Sequence, residues 1–181
     1  MKQALQQHKT VLFGLLLILL GLAVGLATPV QQLHWQPRIT SSGDYGLHDL
    51  WQIAGRNLLI GLQLLIGVVS LGLFGVMQFF SIGFSVGMTF KAGLGAGISF
   101  GKISLLLMPH TFLEFAGFLL LGALEFEAAR LAYYKLRYDQ LPLDQPRLVG
   151  LLKQALFGII LIVIAALVEV YITFTLARRW L

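Results

Sequence analysis

Long apolar runs separated by short polar stretches dominate the chain, and the runs are long enough to cross a lipid bilayer as helices. A membrane-crossing helix needs about 20 mostly apolar residues. The pattern predicts an all-α integral membrane protein, a single membrane domain built as a bundle of about five transmembrane helices. The predicted spans are about 11–28, 58–77, 79–98, 109–126 and 151–177.

Glycines interrupt the pattern after the third predicted span. Each glycine in a helix interior costs about 1 kcal/mol relative to alanine. The density of glycine between Gly93 and Gly101 therefore predicts an irregular or re-entrant segment near 92–108, which other parts of the protein would have to cover. Pro109 suits the first turn of the fourth span, where its missing N–H needs no partner. A tight turn is expected at Gln78, between the second and third spans.

Composition excludes several classes of protein. Hydrophobic residues make up 57% of the chain and charged residues 12%, about half the usual share, which argues against a soluble or disordered chain. Cysteine is absent, so thiolate metal sites and iron–sulfur clusters are excluded, and we expect no metal and no cofactor. The net charge of +5 comes from basic residues between apolar runs, a pattern that does not indicate nucleic-acid binding.

The distribution of basic residues predicts an orientation. Loop 127–153 carries five Lys or Arg, and Lys2 and Lys9 precede the first span. Cytoplasmic loops are enriched in Lys and Arg, so we expect the N-terminus and 127–153 in the cytoplasm and loop 30–56 outside. Arg178 and Arg179 then fall outside, against the rule, which leaves the side of the C-terminus open.

Five polar residues lie in or beside the predicted spans, where a charge costs at least about 2.5–3.5 kcal/mol. Counting helix rise from the ends of the spans places all five in the outer half of the bilayer. We expect Glu114 to have His110 as a near neighbour, one turn away, and Glu169 or Lys91 as a partner on another helix. A structural clasp, an ion, proton or substrate pathway, and a partner-binding role remain open. The five residues, called the predicted polar cluster, are Asn57, Lys91, His110, Glu114 and Glu169.

Small residues four positions apart indicate close helix packing. Gly21 and Gly25 form one such pair, and Gly83 and Gly87 form another. Glycine at this spacing lets two helix backbones approach closely. The contact could lie within one chain or on the face of a dimer.

The stretch 125–145 is expected to be a helix that runs out of the membrane on the cytoplasmic side. It carries Tyr133, Tyr134 and Tyr138 beside Lys135 and Arg137. Such a stretch either anchors the protein at the membrane interface or docks a soluble partner.

Three motifs together resemble a known family. Asn57 opens a glycine-bearing apolar span, Met-Pro-His-Thr-Phe-Leu-Glu-Phe-Ala follows at 108–116, and Ala-Ala-Leu-Val-Glu-Val stands at 165–170. They are similar to the stage II sporulation protein M family of multi-span bacterial membrane proteins, whose signature looks like Leu-Pro-His-Gly-x-x-Glu-x-Pro-Ala with a later Ala-Ala-x-Ile-Glu-Ala. Thr111 and Phe115 depart from that signature.

The resemblance implies a non-enzymatic component of a multi-protein assembly in the bacterial cytoplasmic membrane. The sporulation protein itself is a membrane scaffold for cell-wall hydrolases, and other members look like parts of peptide-bacteriocin export or immunity systems. The expected partners are the lipid bilayer and other membrane proteins or an ATP-binding cassette ATPase, and a homo-oligomer is left open. The alternative is a small transporter or channel that uses the predicted polar cluster directly.

Overall fold

The computed structural model describes residues 2–29, 47–70 and 72–180, and this part of the chain is helical with no strand. The predicted all-α membrane fold is confirmed. A 3-10 turn, Gly67–Ser70, follows α2, and a π-helical turn, Glu169–Thr173, joins α5 to α6. The helices are α1 (Lys2–Ala27), α2 (Leu47–Ile66), α3 (Leu73–Gly95), α4 (Phe100–Tyr138), α5 (Gln145–Val168) and α6 (Phe174–Trp180).

Four helical stretches of the described chain are long and apolar enough to cross a membrane, not the five that were predicted. They are Thr10–Ala27, Leu73–Gly95, Phe100–Tyr138 and Gln145–Arg179. Helix α2 is not among them, because polar residues such as Arg56 and Asn57 lie in its middle. It packs instead on α4 and α5.

The boundary between the second and third predicted spans is wrong. Gln78 lies inside α3, and its amide donates a 3.2 Å hydrogen bond to Gln63 Oε1 on α2. The chain breaks earlier, at 67–72, where Gly72 takes a φ of 94°. A left-handed backbone favours glycine, which has no Cβ to clash. Gln78 is therefore a helix-packing residue rather than a turn.

The predicted irregular segment near 92–108 shrinks to a turn at 96–99. Helix α3 continues to Gly95, and α4 begins at Phe100. The backbone N–H of Ile98 donates to Gly93 O, which closes the end of α3 in the manner of a glycine C-cap. Ile103 of α4 packs against Gly93, where a Cβ would lie 2.9 Å from Ile103 Cδ1. Pro109 accordingly lies inside α4 and not in its first turn.

Neighbouring contacts give the helix directions. Ile18 faces Gly83 and Gly25 faces Gly87, so α1 and α3 are parallel. Gly75 contacts Glu125 near the end of α4, whereas Gly93 contacts the start of α4, so α3 and α4 are antiparallel. The short connection at 139–144 makes α5 an antiparallel neighbour of α4.

These directions define two ends of the bundle. The basal end contains the α4–α5 connection, 139–144, and the apical end contains the α3–α4 turn, 96–99. Helix α2 runs from the apical to the basal end, since Asn57 contacts Glu114 and Gly67 contacts Glu125. Residues 30–46 of the predicted loop 30–56 lie outside the described residues. The remaining residues, 47–56, form the first part of α2 at the apical end. Which end faces the cytoplasm stays a prediction.

A sealed apolar layer fills the middle of the bundle. Leu64 and Ile162 are 0% exposed, and Leu121 is 1% exposed. Phe79, Phe118, Ile18 and Ile82 complete this layer, which α1, α2, α3, α4 and α5 all supply. The outer faces of α1 and α5 carry exposed Leu and Ile side chains, as expected of surfaces that meet lipid.

Candidate functional site

The apical end holds a polar contact between α2 and α4 beneath the α3–α4 turn. Asn57 Nδ2 donates a hydrogen bond to Glu114 Oε1, and both side chains are partly buried. Asn57 reaches Glu114 because α2 and α4 run in parallel and share the apolar layer below. The hydrogen-bond partner of Glu114 is therefore Asn57, which was assigned to the predicted polar cluster but not as this partner.

A second carboxylate, Glu169, and an arginine, Arg56, interact electrostatically at this polar contact. Glu169 begins the π-helical turn after α5 and is close enough to Glu114 for the two charges to repel. Arg56 attracts the Glu169 carboxylate from α2. Sequence patterns do not single out Arg56, because they place 30–56 in a loop. A continuous helical pattern over 47–66 would have placed Arg56 beside Asn57 at the bundle.

His110 is buried one turn above Glu114 and bonds to a different residue. His110 Nδ1 and Thr173 Oγ1 share a hydrogen bond of 3.1 Å, which joins α4 to the π-helical turn. That turn directs both Glu169 and Thr173 toward α4. Wide π turns inside α-helices are frequent at functional sites.

Lys91 makes a contact of another kind. Its Nζ donates a 2.5 Å hydrogen bond to Thr28 O, just beyond the end of α1. A cation suits the carbonyl end of a helix, where the backbone dipole is negative. The hydrogen bonds and ion pairs of residues 2–29, 47–70 and 72–180 do not connect Lys91 to the other four members of the predicted polar cluster. We call Arg56, Asn57, His110, Glu114, Glu169 and Thr173 the apical cluster.

The side chains of the apical cluster can form hydrogen bonds and can transfer protons. It offers two carboxylates, one guanidinium and one imidazole. Within the described residues, no group of three or more His, Asp and Glu side chains is arranged to hold a metal ion. The arrangement can clasp α2, α4 and α5 together or carry a proton between carboxylates.

The four predicted packing glycines lie where α1 meets α3. A Cβ on Gly83 would lie 2.8 Å from the Ile18 carbonyl carbon, and one on Gly87 would lie 3.0 Å from Leu26 N. Gly21 and Gly25 meet the backbone of α3 equally closely. Of the two alternatives raised by their spacing, the structure displays packing within one chain.

Glu125 is a buried carboxylate that the sequence analysis did not single out. It is 0% exposed and lies in the basal half of α4. Its Oε1 accepts hydrogen bonds from Gly75 N at 2.9 Å and from Ser70 Oγ at 3.2 Å, so it caps the start of α3 from a neighbouring helix. The available signal was spacing: Glu125 lies eleven residues after Glu114, about three helical turns, on nearly the same face.

Comparisons with known proteins agree with the motifs. A family model described as Stage II sporulation protein M matches residues 10–174, which confirms the family resemblance. A protein of Methanocaldococcus jannaschii, described as uncharacterized, is 31% identical over 122 residues, covering 67% of this chain and 68% of the relative. No solved structure matches the chain.

Proposed function

Because this chain belongs to the stage II sporulation protein M family, we propose that it is a non-enzymatic membrane component that works by assembling with partner proteins. It serves as a scaffold or as the membrane subunit of a peptide export or immunity system. Partners of this kind are other membrane proteins or an ATP-binding cassette ATPase. The apical cluster then acts as a clasp that holds α2, α4 and α5 in place.

The sealed apolar layer is the observation that carries this proposal. Leu64, Leu121 and Ile162 close the bundle between the apical cluster and the basal end. A pathway for a polar solute needs polar groups or water along its length. A closed monomer with clasped helices therefore supports an assembly role over transport through a single chain.

The basal end of α4 supplies a surface for a partner. Helix α4 has 39 residues, so it is about 58 Å long, against about 30 Å for the hydrocarbon of a bilayer. Its last turns carry exposed Tyr133, Tyr138 and Leu136, the last 82% exposed. An apolar and aromatic surface beyond the membrane suits a soluble chain that docks there.

Site-specific photocrosslinking in the native host tests the proposal. A crosslinking residue at Leu136 is expected to give a discrete adduct with one protein, identified by mass spectrometry. The matched control is Leu156, an exposed position of α5 among apolar residues, which is expected to give lipid adducts only. With the crosslinking residue moved to the neighbouring exposed position Tyr133, Leu136→Glu should remove the adduct and the function together while the folded protein persists. Full activity of the purified chain alone in liposomes would contradict the proposal.

A small transporter or channel is the second candidate. The pairing of Glu114 with Glu169 beside a π-helical turn favours it, because ionisable residues inside membrane helices often mark proton or ion pathways. Such a protein would need the sealed layer to open during its cycle. Ion or proton flux through liposomes that contain only this chain, lost on Glu114→Gln, would favour this candidate.

A further inference from the structure

A cavity of about 580 Å³ lies at the basal end between α1, α4 and α5, remote from the apical cluster. Its wall changes character along α4. Ala123 and Phe126 are apolar and lie deeper in the bundle, whereas Glu127 and Arg130 lie nearer the end of the apolar part. Leu151 and Arg147 repeat this order on α5. We call this space the basal cavity. Its wall is apolar on the deeper side and charged at the rim, which is the arrangement that a molecule with an apolar tail and a polar head requires.

Two arginines of the basal cavity are held in place by one carboxylate. Arg130 donates from Nε and Nη2 to Glu127 at 2.9 Å in each case. Arg147 donates from Nη2 to the same carboxylate and from Nη1 to Pro142 O at 2.6 Å. The three side chains together carry one net positive charge, and their guanidinium groups are fixed before any ligand arrives.

The other charge on the cavity wall is already engaged. The Asp144 carboxylate accepts a hydrogen bond from Arg147 N at 3.0 Å and caps the start of α5. With Asp144 included, the four charged side chains of the cavity wall sum to zero, so the guanidinium groups themselves, rather than a net charge, are suited to phosphate. A guanidinium carries five N–H donors and binds phosphate oxygens through charge-assisted hydrogen bonds.

We propose that the basal cavity binds the phosphodiester head group of a membrane phospholipid. Arg130 and Arg147 bind the phosphate, and the glycerol and first acyl carbons lie against Phe126 and Leu151. Ala123 and Arg130 are about 10 Å apart along the helix axis, a length that spans a head group and its glycerol. The proposal stands apart from the assembly role proposed above.

Short-chain lipids test this site on the purified full-length protein in a neutral detergent. Dihexanoyl-phosphatidylglycerol and dihexanoyl-phosphatidylethanolamine are each titrated while thermal unfolding is followed. Both lipids are expected to raise the midpoint of unfolding in a saturable way. Arg147→Gln should weaken the apparent affinity at least about tenfold, as loss of one charge-assisted contact predicts. Glu127 keeps its ion pair with Arg130 in this variant, so no carboxylate is left alone.

Lys153→Gln is the matched control. Lys153 is exposed on the same helix and does not line the basal cavity, so the same charge is lost elsewhere. Its affinity should equal that of the wild type. An equal response from the wild type, Arg147→Gln and Lys153→Gln would overturn the site.

Two further measurements separate the remaining outcomes. Glycerol 3-phosphate alone is expected to leave the midpoint unchanged, and saturable stabilisation by it equal to that of the lipids would overturn the assignment to lipid. Leu151→Trp fills the apolar part of the cavity without altering a charge, so it decides the matter if Arg147→Gln does not fold. Lipid affinity of Leu151→Trp equal to that of the wild type would also contradict the proposal.

Discussion

Glu114 is the single residue whose replacement best separates the two roles open to the apical cluster. Its carboxylate accepts the Asn57 amide, and glutamine can still accept that hydrogen bond through its own carbonyl. Leucine cannot, and would leave the amide without a partner at a cost of about 1–3 kcal/mol. For a clasp we therefore expect Glu114→Gln to unfold near the wild-type temperature and Glu114→Leu clearly below it, with activity following folded protein. A stably folded but inactive Glu114→Gln would indicate a proton or ion pathway.

A second prediction concerns the stability of the opposite half of the bundle, where Glu125 lies. Glu125→Ala removes the acceptor of Gly75 N and of Ser70 Oγ and empties a fully buried position. We expect a loss of about 2–4 kcal/mol in the free energy of unfolding.

The control for Glu125 is Lys135→Ala on the same helix. Lys135 is exposed and pairs with Asp139 at the surface, so its loss should cost less than about 1 kcal/mol. Chemical unfolding in detergent measures both variants. Similar losses from the two would contradict the capping role of Glu125.

Residue patterns foretold some of these positions and missed others for a physical reason. The cost of polar groups in apolar spans singles out Asn57, His110, Glu114 and Glu169 in the sequence. It does not single out Arg56 and Glu125, which lie at the edges of apolar runs. The burial of Glu125 follows from the packing of α3 on α4, and the position of Arg56 near Glu169 follows from the packing of α2 on α5. No local pattern encodes either contact.

Among the helices, the contact between α1 and α3 depends most on single atoms. Gly83→Ala would push a methyl group into the Ile18 backbone and force the helices apart, a change expected to cost about 1–3 kcal/mol. Gly55 has nothing within 4 Å of the position of a Cβ, so Gly55→Ala should raise stability by up to about 1 kcal/mol through helix propensity. Opposite shifts in the unfolding midpoint would support the assignment, and equal shifts would contradict it.

Helix existence was easier to predict than helix ends. Apolar periodicity and length predicted that α1, α4 and α5 exist, but α4 begins nine residues before its predicted span and ends twelve residues after it. The break at Gly72 and the unbroken helix through Gln78 depend on Gln63 and Phe126, which lie far from them in sequence. Local propensity placed the turn at the polar residue because it cannot register a partner on another helix.

For the whole molecule, the sidedness of the bundle is the open question that one experiment answers. The chain has no cysteine, so single cysteines can be introduced without background. Gln52 is exposed near the apical start of α2, and Gln140 is exposed in the basal connection. We expect an impermeant thiol reagent to label Gln52→Cys in intact cells and Gln140→Cys only after permeabilisation, because the basal stretch 127–153 carries five Lys or Arg. Labelling of Gln140→Cys in intact cells would reverse the orientation.

The position of α2 sets an order of events during biosynthesis. A nascent α2 is not expected to move from the translocon into lipid on its own, because Arg56 and Asn57 are costly to place in hydrocarbon. Arg56 is attracted by Glu169, and Asn57 donates a hydrogen bond to Glu114. Both carboxylates leave the ribosome only later, with the second half of the chain. Helix α1 packs on α3, which is synthesised after α2, so α1 also lacks its main neighbour at this stage. The newborn protein is therefore expected to pass through a stage with α2 held at the membrane surface or by an insertase, and to complete its bundle only as α5 arrives.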